Sequence, residues 1–152
     1  MPLINNKSVN PVPEYMFILL ELLGIKRDNI IILEQTTRFR NVYVPDQGFN
    51  LPVYSSWKFG ETFDKIAQNV DDSKPGFEKV YVSRAKLKER KTYGEEKIQK
   101  IFERNGYKVI YPETMSLIDQ IKTIKGCKFL AGCAGTALHM CLFMKEGGTV
   151  IQ

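Results

Sequence analysis

The sequence predicts an α/β fold, a parallel sheet with helices on both faces. Three observations lead there. Short apolar runs alternate with amphipathic segments from residue 79 to the end. The connections between them are short and carry glycine or proline. Together they give the order β-α-β-α-β-α-β. Buried parallel strands read as continuous apolar stretches, and the helices between them carry one apolar stripe.

Along the chain, residues 1–13 form an irregular lead-in with Asn5-Asn6, Pro11 and Pro13. The crowded apolar run from Glu14 to Leu23, stopped by Gly24, predicts a helix that wants burial by more than one neighbour. Asn29–Leu33 and Val42–Val44 predict two short strands, the second closed by Pro45-Asp46-Gln47-Gly48. Residues 45–57 read as loop, and Lys58–Val70 as a helix with Phe59, Phe63, Ile66 and Val70 on one side. The sharpest break, Asp71 to Gly76, divides an N-terminal segment (1–76) from a second domain (77–152). That domain opens with the strand Lys79–Ser83 and a basic loop, Arg84–Lys91. A helix at 94–105, a strand at 107–111 and a helix at 115–125 follow. The strand 127–131, a helix at 135–144 and a strand from Thr149 complete the order. Because the last strand begins at the end of the sequence, a domain truncated at its C-terminal edge is expected.

Composition narrows the function classes. With 43% hydrophobic and 26% charged residues, the 152-residue chain is neither disordered nor fibrous. Cys127, Cys133 and Cys141 form no CxxC pair and are odd in number, which fits a reducing cytosol better than a disulfide framework. The single histidine, His139, argues against a zinc site. No stretch reaches the ~20 apolar residues that span a bilayer. A cytoplasmic location is therefore expected, with peripheral contact at the inner face of the membrane left open. A homodimer through the apolar 14–23 helix is a further expectation.

Ligands of parallel α/β sheets bind at the carboxyl ends of the strands. Three such ends can be placed: Ser83-Arg84, Pro112-Glu113, and Gly132-Cys133-Ala134-Gly135-Thr136. In the third, two glycines let backbone approach a ligand, and a helix start offers free N–H groups to an anion. The pattern matches neither G-x-x-x-x-G-K-[ST] nor G-x-G-x-x-G, and it equally suits a tight turn without ligand. The loop 84–91 holds five basic residues against Glu89, a net +4 of the chain's +5. Arg84 and Arg90 have the fork that suits phosphate. The lysines read equally well as a solvated surface. No aromatic residue lies between Arg84 and Lys91, so base stacking and nucleic-acid binding are not expected. His139, one turn into the last helix, reads as a surface histidine or a general base. Glu95 opens its helix, where a carboxylate favours the dipole. Gln120 is a core amide or a pocket residue. There is no D-x-D pair for a divalent metal and no nucleophile elbow.

The ordered set Val80-Tyr81-Val82-Ser83-Arg84, Arg90, Glu95, Asn105-Gly106-Tyr107, Tyr111-Pro112-Glu113, Gln120 and Gly132-x-x-Gly-Thr-Ala-Leu-His139 with Phe143 resembles family 61 glycosyltransferases. The likeness is to the C-terminal part of that family, in its bacterial capsular polysaccharide biosynthesis branch. It is strong over 77–152 and weaker over 14–45.

The resemblance implies a Rossmann-like lobe of a two-lobed, GT-B type enzyme. It implies inverting, metal-independent transfer from a nucleotide-sugar donor to a saccharide acceptor, with no cofactor. Ser83, Arg84, Arg90, Gly132, Gly135 and Thr136 would hold the donor diphosphate, with Glu113 and Gln120 in the pocket. His139 and Glu95 would be the catalytic pair. The departures are Gly94, where many members have Asn, and Ala134 and Met140, where eukaryotic members have His and Asn. Most of the N-terminal lobe lacks a counterpart. The competing expectations are a non-catalytic nucleotide- or partner-binding module on the same fold, and a sugar-phosphate enzyme such as an epimerase.

Overall fold

The computed structural model describes residues 12–50, 53–71, 76–87 and 92–152. They divide into two compact units between Phe59 and Gly60.

In the first unit, helix α1 (Glu14–Leu22) starts after Pro13 and ends at Leu23, with Gly24 in the left-handed region at φ +88°. Arg27, in the short 3₁₀ turn Arg27–Asn29, pairs with Glu14 and donates to Glu21 Oε1 at 2.7 Å. No residue of α1 is buried. The strands expected at Asn29–Leu33 and Val42–Val44 do not form. A strand is held by ladder bonds and by a covered face. These runs have neither: Ile31 is 77% exposed and Val44 84%. The unit's sheet lies instead in the stretch read as loop. Two-residue strands β1 (Phe49–Asn50) and β2 (Tyr54–Ser55) pair antiparallel, Phe49 opposite Ser55. Strands that short leave no alternation to read.

Helix α2 (Trp57–Gln68) leads into the second unit and buries Ile66. The sheet follows: β3 (Lys79–Val82), β4 (Lys108–Ile110), β5 (Phe129–Gly132) and β6 (Thr149–Ile151). Their order is β4-β3-β5-β6 and every pairing is parallel. Helices α3 (Glu95–Arg104) and α4 (Leu117–Lys125) are the crossovers. The result is the expected α/β, Rossmann-like domain.

Alternation along β3 sorts the core. Tyr81 stacks on Phe102 of α3, ring centroids 4.5 Å apart. Its neighbours Val80 and Val82 turn to the opposite face. All three are buried, with Leu130, Ala131, Ile121 and Ile124. Ser116 caps α4 by accepting from Asp119 N–H at 3.1 Å. Lys125 at the other end of α4 donates to Ala67 O and Val70 O, at 3.0 and 2.6 Å, which fastens the end of α2.

One expected α-helix is wound differently. Thr136–Phe143 is a 3₁₀ helix. Ala137, Leu138, Met140, Cys141, Leu142 and Phe143 are apolar nearly all round. Without a one-sided stripe, the pattern cannot tell a repeat of 3.6 from one of 3.

Candidate active site at the strand ends

The sheet order creates the site. From β3 the chain runs first to β4 on one side, then returns to β5 on the other. The two connections part company above the β3–β5 gap, the place where an open α/β sheet leaves a crevice. A cavity of about 740 Å³ lies there. Its walls come from Ser83, Arg84 and Leu87 after β3, Glu113 after β4, and Cys133 to Ala137 after β5, with Gln120 from α4.

Arg84 spans the gap. It is half-buried, and its Nη1 donates to Ala134 O at 3.2 Å. That bond uses one of the five N–H donors of the guanidinium. The main chain beneath is fixed too, since Arg84 N–H donates to Glu95 Oε1 at 3.2 Å. Gly135 lies against Arg84, with Nη1 3.5 Å from where a Cβ would stand. Its φ of +156° with ψ 177° is a setting kept for glycine. After it, the Thr136 and Ala137 N–H groups precede the first bond of the 3₁₀ helix, from Leu138 N–H to Gly135 O at 3.1 Å. A cation and free main-chain donors thus meet at one mouth.

Glu95 sits one hydrogen bond behind the crevice wall. It is 1% exposed. It accepts from Tyr81 Oη at 2.8 Å, from Arg84 N–H, and from Cys133 Sγ at 3.0 Å. Burial alone would push this carboxyl up. The bonds from Cys133, Arg84 and Tyr81, with the guanidinium charge, outweigh it and hold the group below its ordinary value. The same contact, added to burial, pushes the Tyr81 hydroxyl and the Cys133 thiol up. Cys133 is therefore a donor in the wall, not a thiolate. Gly94, which starts α3, has φ +81°. That conformation is open to Gly and Asn and to few others.

Ser83 is buried in the crevice floor. Its Oγ donates to Gln99 Oε1 at 3.0 Å and accepts from Ala85 N–H at 3.1 Å. Gln99 also accepts from Tyr111 Oη at 3.1 Å, so one amide ties the ends of β3 and β4 together. Gln99 was not foreseen, although it lies one turn after Glu95, a spacing that puts both on one face. Tyr81 and Cys133 were missed as members of the same network.

The remaining candidates separate. Thr136 and Glu113 line the crevice and are exposed, while Gln120 lines it half-buried. Gly132 is buried within β5. A Cβ there would stand 2.9 Å from Val82 O and 3.3 Å from Leu138, so strand and helix packing demands this glycine. His139 is exposed and is not among the lining residues. Arg90 lies outside the described residues. Among the described residues no three His, Cys, Asp or Glu side chains gather as metal ligands would. Nor is any helix among them long and apolar enough to cross a membrane.

No curated protein and no solved structure shows significant similarity to the chain. The family model described as Glycosyltransferase 61 matches residues 7–151, a span that takes in every strand end of the crevice. The chain belongs to the glycosyltransferase 61 family.

Proposed function

We propose that the crevice binds the diphosphate of a nucleotide-sugar donor, and that the chain is the donor-binding part of an inverting, metal-independent glycosyltransferase. The observation that carries the reading is Arg84 spanning the β3–β5 gap beside the Gly135–Thr136 turn. As the acceptor hydroxyl attacks the anomeric carbon, the bond from that carbon to the diphosphate oxygen breaks. Negative charge gathers on the diphosphate. A guanidinium and main-chain N–H groups fixed in advance stabilise it without reorganising. Ser83 and Glu95 act through position, holding the turn that aims Arg84; Arg90 supplies further charge. No cofactor is needed for this chemistry.

A base must still take the acceptor proton, and His139 is the candidate, on the exposed side of the 3₁₀ helix. The acceptor is a saccharide, and the setting is bacterial capsule or exopolysaccharide synthesis in the cytoplasm, at the inner face of the membrane. A homodimer belongs to the same proposal. The second reading, a non-catalytic nucleotide-binding module, is favoured by one observation: neither His139 nor Glu95 lines the crevice.

Calorimetric titration with UDP, GDP, CMP and inorganic phosphate, each with and without magnesium, tests the reading. Saturable binding of one nucleoside diphosphate, unchanged by magnesium, is expected. Binding of phosphate alone, or of no nucleotide at millimolar concentration, refutes it. Transfer from the matching nucleotide sugar separates the enzyme from the module.

A further inference from the structure

Glu113 is out of place in a diphosphate crevice. It lines the cavity with an exposed carboxylate, and no hydrogen bond or ion pair engages it among the described residues. An ionised carboxylate only accepts, so it repels phosphate and calls for a ligand group with hydroxyls or N–H.

Its backbone is also held firmly. It lies in the 3₁₀ turn Pro112–Thr114, which follows β4 directly. Gln120 Nε2 donates to Pro112 O and to Met115 O, at 3.0 and 3.2 Å, bracketing the turn on both sides. Thr114 Oγ1 donates to Tyr111 O at 2.9 Å. Two side chains, Gln120 and Thr114, fix the turn through three hydrogen bonds, and Glu113 is left unpaired among the described residues.

From these contacts we infer that Glu113 reads the ribose diol of the donor nucleotide, with Gln120 as the residue that positions it. The inference rests on the proposed diphosphate site. With phosphates above the β3–β5 gap, β4 is one strand spacing from β3, about 4.8 Å. The sugar ring next to the phosphates then falls over the end of β4. In dinucleotide-binding doubly wound sheets a carboxylate downstream of the phosphate-binding turn likewise hydrogen-bonds a ribose hydroxyl.

The test titrates the full chain with UDP, 2′-deoxy-UDP, UDP-glucose, GDP and 2′-deoxy-GDP, beside the variant Glu113→Gln. Because Glu113 is exposed and unpaired, the variant should unfold at the parent's temperature. In the parent, the ribonucleotide that binds should do so about 10- to 100-fold more tightly than its deoxy form, the size of one hydrogen bond to a charged group. In Glu113→Gln the ratio should fall to about a tenth of that or less. Taking the ratio cancels any gain in phosphate affinity from the lost charge.

Equal binding of ribo and deoxy forms by the parent overturns the inference and leaves the diphosphate site standing. So does a ratio that survives the substitution. An effect of Glu113→Gln confined to UDP-glucose, with the UDP to deoxy-UDP ratio intact, assigns the carboxylate to the transferred sugar and also overturns it. If no nucleoside diphosphate binds, the diphosphate site falls, and the inference with it.

Discussion

Replacing Glu95 tests whether the network behind the crevice wall holds the site. The carboxylate accepts three bonds, from Tyr81 Oη (2.8 Å), Arg84 N–H (3.2 Å) and Cys133 Sγ (3.0 Å). Glu95→Ala leaves the buried Tyr81 hydroxyl and the part-buried Arg84 N–H without that acceptor. Each buried donor left unpaired costs about 1–3 kcal/mol, and the thiol, a weak donor, adds little. The sum is about 2–6 kcal/mol, a large share of the ~5–15 kcal/mol that keeps a domain folded. Glu95→Gln is milder. Its amide oxygen can keep Tyr81 and Arg84, and its NH₂ can face the Cys133 sulfur. Two charge-assisted bonds become neutral ones, at about 1 kcal/mol each, and the relief of burying a charge offsets part of the loss. About 1–2 kcal/mol is expected.

Urea unfolding at pH 7 reads both values as shifts in midpoint at constant slope. The pH dependence supplies a second check. Glu95 is held below its ordinary value near 4.5, so its ionised form favours the folded state. That contribution is complete above pH ~4.5 and is lost as pH falls through the lower, folded-state value. The stability gap between parent and Glu95→Gln should therefore be full at pH 7 and shrink in acid. A Glu95→Ala variant with the parent's urea midpoint would falsify the network. A gap that widened in acid would show the sign to be wrong.

Three further substitutions probe separate parts of the site. Arg84→Ala should lower nucleoside diphosphate affinity about 100-fold or more by calorimetry, while circular dichroism shows an intact fold; among the described residues the half-buried side chain makes one internal bond, to Ala134 O. Gly94→Asn should cost well under 1 kcal/mol in urea unfolding and Gly94→Val about 1–2 kcal/mol or more, because φ is +81° there. Gly132→Ala should destabilise by about 1–3 kcal/mol, since its Cβ would press on Val82 O at 2.9 Å. Nucleotide affinity should stay near the parent's wherever that variant is folded.

What the sequence disclosed was position along the chain. Ser83-Arg84, Pro112-Glu113 and the Gly132–Thr136 turn could be set at strand ends because continuous apolar runs stop there, and a parallel sheet brings such ends to one edge. The strands at 29–33 and 42–44 failed under the same rule. A β-branched run records willingness to be a strand, while pairing depends on a neighbour that local pattern does not contain. Gly132 and Gly135 looked alike in the sequence, but only coordinates separate a glycine required by packing against Val82 from one with special backbone angles beside Arg84.

Contacts across elements were the hidden part. Glu95 read as a residue favouring its own helix dipole, which is a local role. Its actual partners come from β3, from the loop after it and from the loop after β5, at separations of 14, 11 and 38 residues. Gln99 joins β3 to β4 in the same way. These two side chains stand one turn apart on α3, and between them they fasten all three strand ends that border the crevice. Helix α3 is thus the brace of the site. A substitution that turns its Glu95–Gln99 face away from the sheet should therefore weaken ligand binding without removing any group that touches the ligand.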